Sequence, residues 1–187
     1  RPPWPPICVL LHKPRGFITS RMDPDGRPTV FGCLKGVKAP VQSVGRLDYD
    51  VDGVLLLTTD GSLSHRLTHP RYGIERVYRV KVRGHPDSLS LQRLSAGVEL
   101  EDGMATAESV RFESRLERAA WLRLTLREGR SHLVKRMCEQ VGYPVLKLRR
   151  IRFAGLTLGG LKSGKWRYLK EPELRGLRKQ VGLDSAN

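Results

Sequence analysis

Cysteine is scarce in this sequence, and no hydrophobic run is long enough to cross a membrane. Cys8, Cys33 and Cys138 are odd in number and too far apart in the chain for a zinc motif or a small disulfide framework. The longest apolar runs are far shorter than the roughly 20 residues that a membrane-spanning helix requires. The sequence therefore predicts a protein of the reducing cytoplasm with no membrane partner.

Acidic residues are also few relative to basic ones. The 187 residues include 34 Lys/Arg and 19 Asp/Glu, a formal net charge of +15. The excess is uneven, because residues 75–120 hold 8 residues of each sign whereas residues 121–170 hold 13 Lys/Arg and 2 Asp/Glu, a net charge of +11. A local excess of this size favours a polyanionic partner, and nucleic acid is the expected one.

Motifs for metal ions and dinucleotides are missing from the sequence. His65 and His69 are four residues apart and would share a helix face, but no Glu follows His65 and no third ligand lies nearby. We therefore expect no metal site and no cofactor.

One stretch, GRLDYDVDGVLLLTTDG at residues 45–61, combines acidic and apolar residues unusually closely. Asp48, Asp50 and Asp52 fall in a turn, and Val54–Leu57 follow as a short apolar run that is typical of a buried strand. The pattern places a carboxylate at the end of a rigid core element.

Three other interpretations of this turn were considered from the residues. A calcium loop would need Glu where Thr59 stands, and a helix where the apolar run predicts a strand. The order Asp50-Val-Asp-Gly-Val-Leu55 looks like the nucleophile loop of haloacid-dehalogenase-type phosphatases, but no hydrophobic strand precedes it. An ordinary acidic turn remains possible on these residues.

The order Gly45-Arg46-Leu47-Asp48, Gly53, Leu55-Leu-Leu-Thr58 and Asp60-Gly61 resembles the central motif of the RsuA-type ribosomal-RNA pseudouridine synthases. The resemblance implies that Asp48 is the catalytic carboxylate, that Arg46 binds substrate, and that Asp50 and Asp52 form the turn. The sequence departs from the family at Val51, where Thr is usual, and at Thr59, where Asn is usual.

Downstream segments extend the resemblance over most of the chain. The strand pattern Arg76-Val-Tyr78-Arg-Val matches the family strand whose Tyr packs on the target uracil, which implies that Tyr78 belongs to the site. The segment 128–137 resembles the last active-site motif, implying that Lys135 pairs with Asp48 and that Leu133 contacts substrate in place of the usual Gln. Leu148 is expected near the target base.

A helix is predicted after the break at Glu128-Gly-Arg-Ser131, with Ser131 as its cap and an apolar stripe on one face. The resemblance and the local charge together predict contacts with the RNA backbone from nine cations: Lys13, Arg15, Arg27, Arg71, Arg76, Arg130, Arg136, Arg150 and Arg152.

The expected fold is of the α/β class, α+β type, with a central mixed and largely antiparallel sheet flanked by helices, as in the pseudouridine synthase catalytic domain. Residues 1–6 are predicted to be a proline-rich linker, 7–183 the catalytic domain, and 184–187 a tail. The catalytic domain is expected to consist of two fused halves that meet near residues 70–75. An S4-like RNA-binding domain is expected upstream, outside this chain.

The resemblance implies that the chain isomerises one uridine of large-subunit (23S-type) ribosomal RNA to pseudouridine. Small-subunit (16S-type) RNA is the alternative substrate, and a weakly active or non-catalytic ribosomal-RNA-binding or ribosome-assembly module is the alternative function, motivated by Leu133. We expect a monomer that takes a stem-loop with the uridine flipped out.

Overall fold

The computed structural model describes residues 5–183. Most of the predicted proline linker and the whole predicted tail therefore lie outside the described residues. The strands are β1 Cys8–Lys13, β2 Gln42–Ser43, β3 Val51–Thr58, β4 Arg76–Arg83, β5 Val98–Leu100, β6 Gly103–Ala105, β7 Ser109–Arg115, β8 Ala119–Leu126, β9 Val145–Phe153, β10 Leu156–Thr157 and β11 Trp166–Tyr168. The α-helices are α1 Gly61–Thr68, α2 Ser88–Ala96, α3 Leu133–Gln140 and α4 Glu171–Gln180, and short 3₁₀ turns occur at Val30–Cys33 and Pro70–Tyr72.

Nine strands form one continuous sheet in the order β11-β1-β3-β9-β4-β8-β7, with β2 on β3 and β10 on β9. In this sheet β3 and β9 pair in parallel, and the other ladders are antiparallel. Strands β5 and β6 form a separate two-stranded ribbon. The predicted mixed and largely antiparallel sheet is confirmed.

Both faces of the sheet are buried where β1 and β3 run. Alternate residues of β3 enter different clusters, with Leu55 and Leu57 on one face and Val54 and Leu56 on the other. The first face packs on α2 and α3, and the second packs on α1 and α4. An uninterrupted apolar run suits a strand that is buried on both faces, which explains the Leu-rich sequence after the acidic turn.

Strands β3 and β9 approach each other closely at Gly53. The backbone of Gly53 has a φ of 120°, and a Cβ there would overlap the carbonyl oxygen of Arg150. The parallel register pairs Val51 with Leu148, Asp52 with Arg149 and Gly53 with Arg150. A residue without a side chain is therefore required where the acidic turn enters the sheet.

The N-terminal caps of α1 and α3 differ. Asp60 caps α1, because its carboxylate accepts a hydrogen bond from the Leu63 amide at 3.1 Å. The prediction that Ser131 caps α3 is wrong. The N-cap is His132 in the left-handed region with a φ of 53°, and it makes no side-chain cap bond. No helix within residues 5–183 is both long and apolar enough to cross a membrane.

Candidate active site

The backbone around Asp48 is held in place by the segment that follows β1. The Thr19 hydroxyl donates to the Leu47 carbonyl at 2.6 Å and accepts from the Leu47 amide at 3.2 Å. The Gly16 amide donates to the Tyr49 carbonyl at 2.8 Å. These bonds come from about 30 residues away in the sequence, and they fix the turn on both sides of the carboxylate.

Lys13 supplies the third support for this turn. Its ammonium donates to the carbonyls of Pro14, Asp48 and Val51 at 3.0, 3.0 and 2.7 Å. The side chain is fully buried, and burial lowers the pKa of Lys13 to about 8. The prediction that Lys13 contacts the RNA backbone is therefore wrong, since the ammonium is enclosed and bonded to main-chain carbonyls.

A cavity of about 580 Å³ opens beside Asp48. It lies within the size range of small-molecule sites in proteins. Its wall contains most of the residues that the sequence proposed for catalysis and substrate binding, namely Arg46, Asp48, Tyr78, Leu133 and Leu148. Residues that are up to 102 positions apart in the chain are thus brought to one cavity.

Lys135 lies beside Asp48, but its nearer partner is Asp50. The Lys135 ammonium is 3.8 Å from Asp48 Oδ2 and donates to Asp50 Oδ1 at 2.6 Å. Partial burial acts to raise the pKa of Asp50, but the hydrogen bond and charge of Lys135 outweigh it, and the pKa is lowered. Asp50 is therefore more than a turn former, since it shares a cation with the candidate catalytic carboxylate.

His132 was missed by the sequence reasoning. Its Nδ1 lies 2.9 Å from Asp48 Oδ2, closer than any atom of Lys135 that pairs with this carboxylate. The left-handed backbone of His132 brings the ring to Asp48. The position of this histidine within the 128–137 motif was the available signal, but no local pattern predicts the unusual φ that directs its ring toward Asp48.

One wall of the cavity is formed by strands β4 and β9. Tyr78 and two buried arginines, Arg76 and Arg150, line this wall. Tyr78 on β4 is directly opposite Arg150 on β9, and Arg76 and Arg150 place their guanidinium carbons 5.3 and 4.5 Å from the Phe153 ring centroid. Burial lowers the pKa of both arginines. Within residues 5–183 neither has a carboxylate within 4.0 Å, and Arg150 Nη2 has no hydrogen-bond partner.

Arg76 and Arg150, which were predicted to bind RNA, are not surface cations, because these side chains are 5% and 3% exposed. Arg76 donates to the Ile74 carbonyl at 2.7 Å, and Arg150 donates to the Val54 carbonyl at 3.0 Å. Both nevertheless line the cavity. An unpaired buried cation is costly, so these groups make the cavity favourable for an electron-rich or anionic ligand.

The remaining predicted RNA contacts lie outside the cavity or at its rim. Arg15 and Arg71 are exposed. Arg27 pairs with Asp23 at 2.6 Å, and Arg152 lies 3.9 Å from Glu75. Arg130, which lines the cavity, and Arg136 share Asp102 at 3.0 and 2.7 Å, and Arg130 also pairs with Glu128. The RNA contacts of these cations stay predictions.

Within the part of the chain that the structure describes, no group of three or more His, Cys, Asp or Glu side chains is arranged to hold a metal ion.

Comparisons with known proteins give consistent matches. The sequence profile of the family described as RNA pseudouridylate synthase matches residues 7–140. An uncharacterized RNA pseudouridine synthase of Aquifex aeolicus is 42% identical over 176 residues, which cover 94% of this chain and 71% of that protein. The ribosomal large subunit pseudouridine synthase B of Bacillus subtilis is 39% identical over 175 residues, 92% of this chain and 72% of the relative.

The enzyme of the same name from Escherichia coli K12 is 42% identical over 181 residues, which cover 95% of this chain and 62% of that protein. Among solved structures, a pseudouridylate synthase aligns with a TM-score of 0.80 at 30% identity, covering 92% of this chain and 74% of that chain. An H/ACA ribonucleoprotein structure aligns at 17% identity with a TM-score of 0.61 and shows likeness of fold alone.

Proposed function

The chain belongs to the RNA pseudouridylate synthase family, and we propose that it converts one uridine of large-subunit ribosomal RNA to pseudouridine. The observation that carries this proposal is the position of Asp48. Its carboxylate shares one cavity with Tyr78 and lies 3.8 Å from the Lys135 ammonium, although the three residues are far apart in the sequence.

The reaction breaks the bond from C1′ of ribose to N1 of uracil, turns the base, and joins C1′ to C5. Every atom is retained except that the C5 hydrogen exchanges with solvent, and the oxidation state does not change. Asp48 supports this reaction in one of two ways. It attacks or stabilises C1′ as positive charge develops, or it removes a proton to give a glycal-like intermediate.

Two groups lie close to the Asp48 carboxylate and supply it with positive charge or a hydrogen bond. Lys135 supplies such a charge at 3.8 Å, and a His132 N–H can donate to the same oxygen from 2.9 Å. Both groups also orient the carboxylate toward the cavity.

Tyr78 holds the uracil while it is detached from the ribose. The phenol ring lines the cavity, and stacking of a base on an aromatic ring is worth about 1–3 kcal/mol in single-stranded recognition. Because C1′ and C5 are enclosed in a stacked helix, the uridine must first be flipped out, which costs a few kcal/mol. Contacts from basic residues to RNA phosphates offset this cost.

The large-subunit assignment is supported by the names of the relatives from Bacillus subtilis and Escherichia coli. The same proposal includes a stem-loop substrate, a monomeric enzyme, and action in the cytoplasm, where bacterial ribosomes are assembled. Small-subunit RNA is the other substrate to be tested.

Release of tritium from ribosomal RNA labelled with 5-³H-uridine tests the proposed function directly. We expect the protein to release tritium from large-subunit RNA, because joining C1′ to C5 displaces the hydrogen at C5. A parallel reaction with small-subunit RNA decides between the two substrates. Binding of both RNAs without tritium release would support the non-catalytic alternative suggested by Leu133, which is buried and apolar at the cavity wall.

Replacing Lys135 with Met is expected to lower the turnover number by about 10²-fold, the cost typical of losing one electrostatic group in a site. The substitution removes the cation that Asp48 and Asp50 share. Initial rates of tritium release at saturating RNA measure the effect. Lys162→Met, at an exposed position, is the matched control and should keep its rate. An unchanged rate for Lys135→Met would exclude Lys135 from the site.

A further inference from the structure

One face of the sheet carries a cluster of cations that the active site does not use. We call it the basic sheet face, and it consists of Arg79, Lys81, Arg83, Arg111, Arg123, Lys147 and Arg149. Strand register places them together. Arg79 is opposite Arg123 on β8 and Arg149 on β9, and Lys81 is opposite Lys147 on β9. Arg111 on β7 is opposite Arg123.

The basic sheet face is exposed to solvent, whereas the opposite face of the same strands is buried under helices. Residues that alternate with the cations, such as Val80, Val82 and Leu122, are buried in the cluster that α2 and α3 cover. The cations themselves are half-buried or exposed. The exposed ones are Arg83, Arg111, Lys147 and Arg149. Successive same-face residues of a strand are about 6.8 Å apart and neighbouring strands about 4.8 Å apart, so the charges form a regular array.

The array is only partly neutralised. Glu113 is shared by Arg79 and Arg123, and Asp52 pairs with Arg149. The seven cations therefore face two carboxylates, leaving a net charge of +5. In the part of the chain that the structure describes, four of the seven have no carboxylate within 4.0 Å: Lys81, Arg83, Arg111 and Lys147.

The basic sheet face begins next to the active site. A hollow of about 340 Å³ is lined by Arg79, Lys147 and Arg149 of this face together with Arg15 and Trp121. Leu148 lines both this hollow and the cavity beside Asp48. The acidic turn connects the two regions. Asp48 faces the cavity, Asp50 lines the hollow, and Asp52 pairs with Arg149.

We propose that the basic sheet face binds phosphates of the same RNA whose uridine enters the cavity, at nucleotides away from the target. This inference rests on the proposed function. Phosphates fit better than stacked bases because Trp121, the aromatic ring of the face, is already covered by the Arg79 guanidinium at 4.6 Å from the ring centroid. Long cationic side chains on an exposed sheet face can each contact a phosphate without entering a groove.

The triple substitution Lys81→Gln, Arg83→Gln and Lys147→Gln tests this inference by equilibrium binding. Anisotropy of a fluorescently labelled large-subunit RNA fragment is measured with each protein between 50 and 200 mM salt, the range over which phosphate contacts dominate affinity. We expect the triple variant to bind about tenfold more weakly at 150 mM salt. The slope of log K against log salt should decrease in magnitude by about 2, since each lost phosphate contact contributes about 0.7 to 0.9.

A control triple, Lys38→Gln, Lys162→Gln and Lys179→Gln, removes the same charge from exposed positions elsewhere and should bind within about twofold of the original protein. Equal affinity and slope for the test triple would overturn the proposal, and so would an equal loss in both triples. The outcome does not depend on catalysis. If the unaltered protein released no tritium but the test triple alone lost affinity, the proposed function would fail while the RNA-binding face would stand.

Discussion

Replacing Asp48 with Asn is expected to lower the rate of tritium release by at least about 10⁴-fold, the scale of losing an essential proton-transfer or nucleophilic group. The amide has nearly the same shape, but it carries no charge and cannot attack C1′ or take a proton. The bonds that hold the turn join its backbone to the side chains of Lys13 and Thr19, so they persist in the variant. RNA affinity should be equal to or higher than that of the unaltered protein, because a negative charge is removed.

Two other carboxylates of the same turn allow the same Asp-to-Asn change to be compared at neighbouring positions. Asp50→Asn weakens the bond to Lys135 and should reduce the rate moderately, by about tenfold, because Lys135 then loses its nearer partner. Asp52→Asn removes a partly exposed pair with Arg149, and such pairs contribute about 1 kcal/mol or less to stability, so the rate should change by less than about twofold. Full activity of Asp48→Asn would contradict the proposed mechanism.

Replacing Lys13 with Met should lower both the reaction rate and the stability of the fold, although this side chain does not line the cavity beside Asp48. The buried ammonium bonds the carbonyls of Pro14, Asp48 and Val51, and each buried carbonyl left unsatisfied costs about 1–3 kcal/mol. A displacement of the turn by about 1 Å would lower the rate about 10²-fold. We expect both a lower rate of tritium release and a lower melting temperature.

Lys162→Met is again the control, at an exposed lysine outside the turn.

The pH dependence of stability gives a separate test. Because folding lowers the pKa of Lys13 from 10.5 to about 8, the unfolded chain binds more protons between these values, and the free energy of unfolding gains a contribution that rises with pH there. Chemical unfolding between pH 8 and pH 10 should show this rise in the unaltered protein and not in Lys13→Met. Identical curves and rates would contradict the role of Lys13.

The family and the fold class could be predicted from the sequence, and both are confirmed by the profile match and by a TM-score of 0.80 to a pseudouridylate synthase. These conclusions depend on motifs and on alternation of apolar residues, which are local. The motifs also led to Asp48, Tyr78 and Lys135, which the structure brings together. Their catalytic roles stay predictions, as does the division of the domain into two halves near residues 70–75.

The errors arose where tertiary packing overrides local preference. Arg150 has the same parity as the buried Leu148, so period-two alternation places it inside, but its charge favoured an exposed position. The sheet tolerates the buried guanidinium because Val54 accepts a hydrogen bond from it and Phe153 lies beneath it. The predicted position of Lys13 beside the RNA backbone was wrong for a similar reason. The carbonyls that accept hydrogen bonds from its ammonium belong to residues up to 38 positions away in the sequence.

Gly53 determines how wide this cavity can be. The Asp48 carboxylate comes from the turn before β3, while Leu148 and Arg150 come from β9, so the separation of two main chains sets the distance between opposite sides of the cavity. Side-chain substitutions around the cleft can change its chemistry without changing its width. Any larger residue at Gly53 would push the strands apart and widen the cleft, so a saturation library at this codon should return active clones that encode glycine.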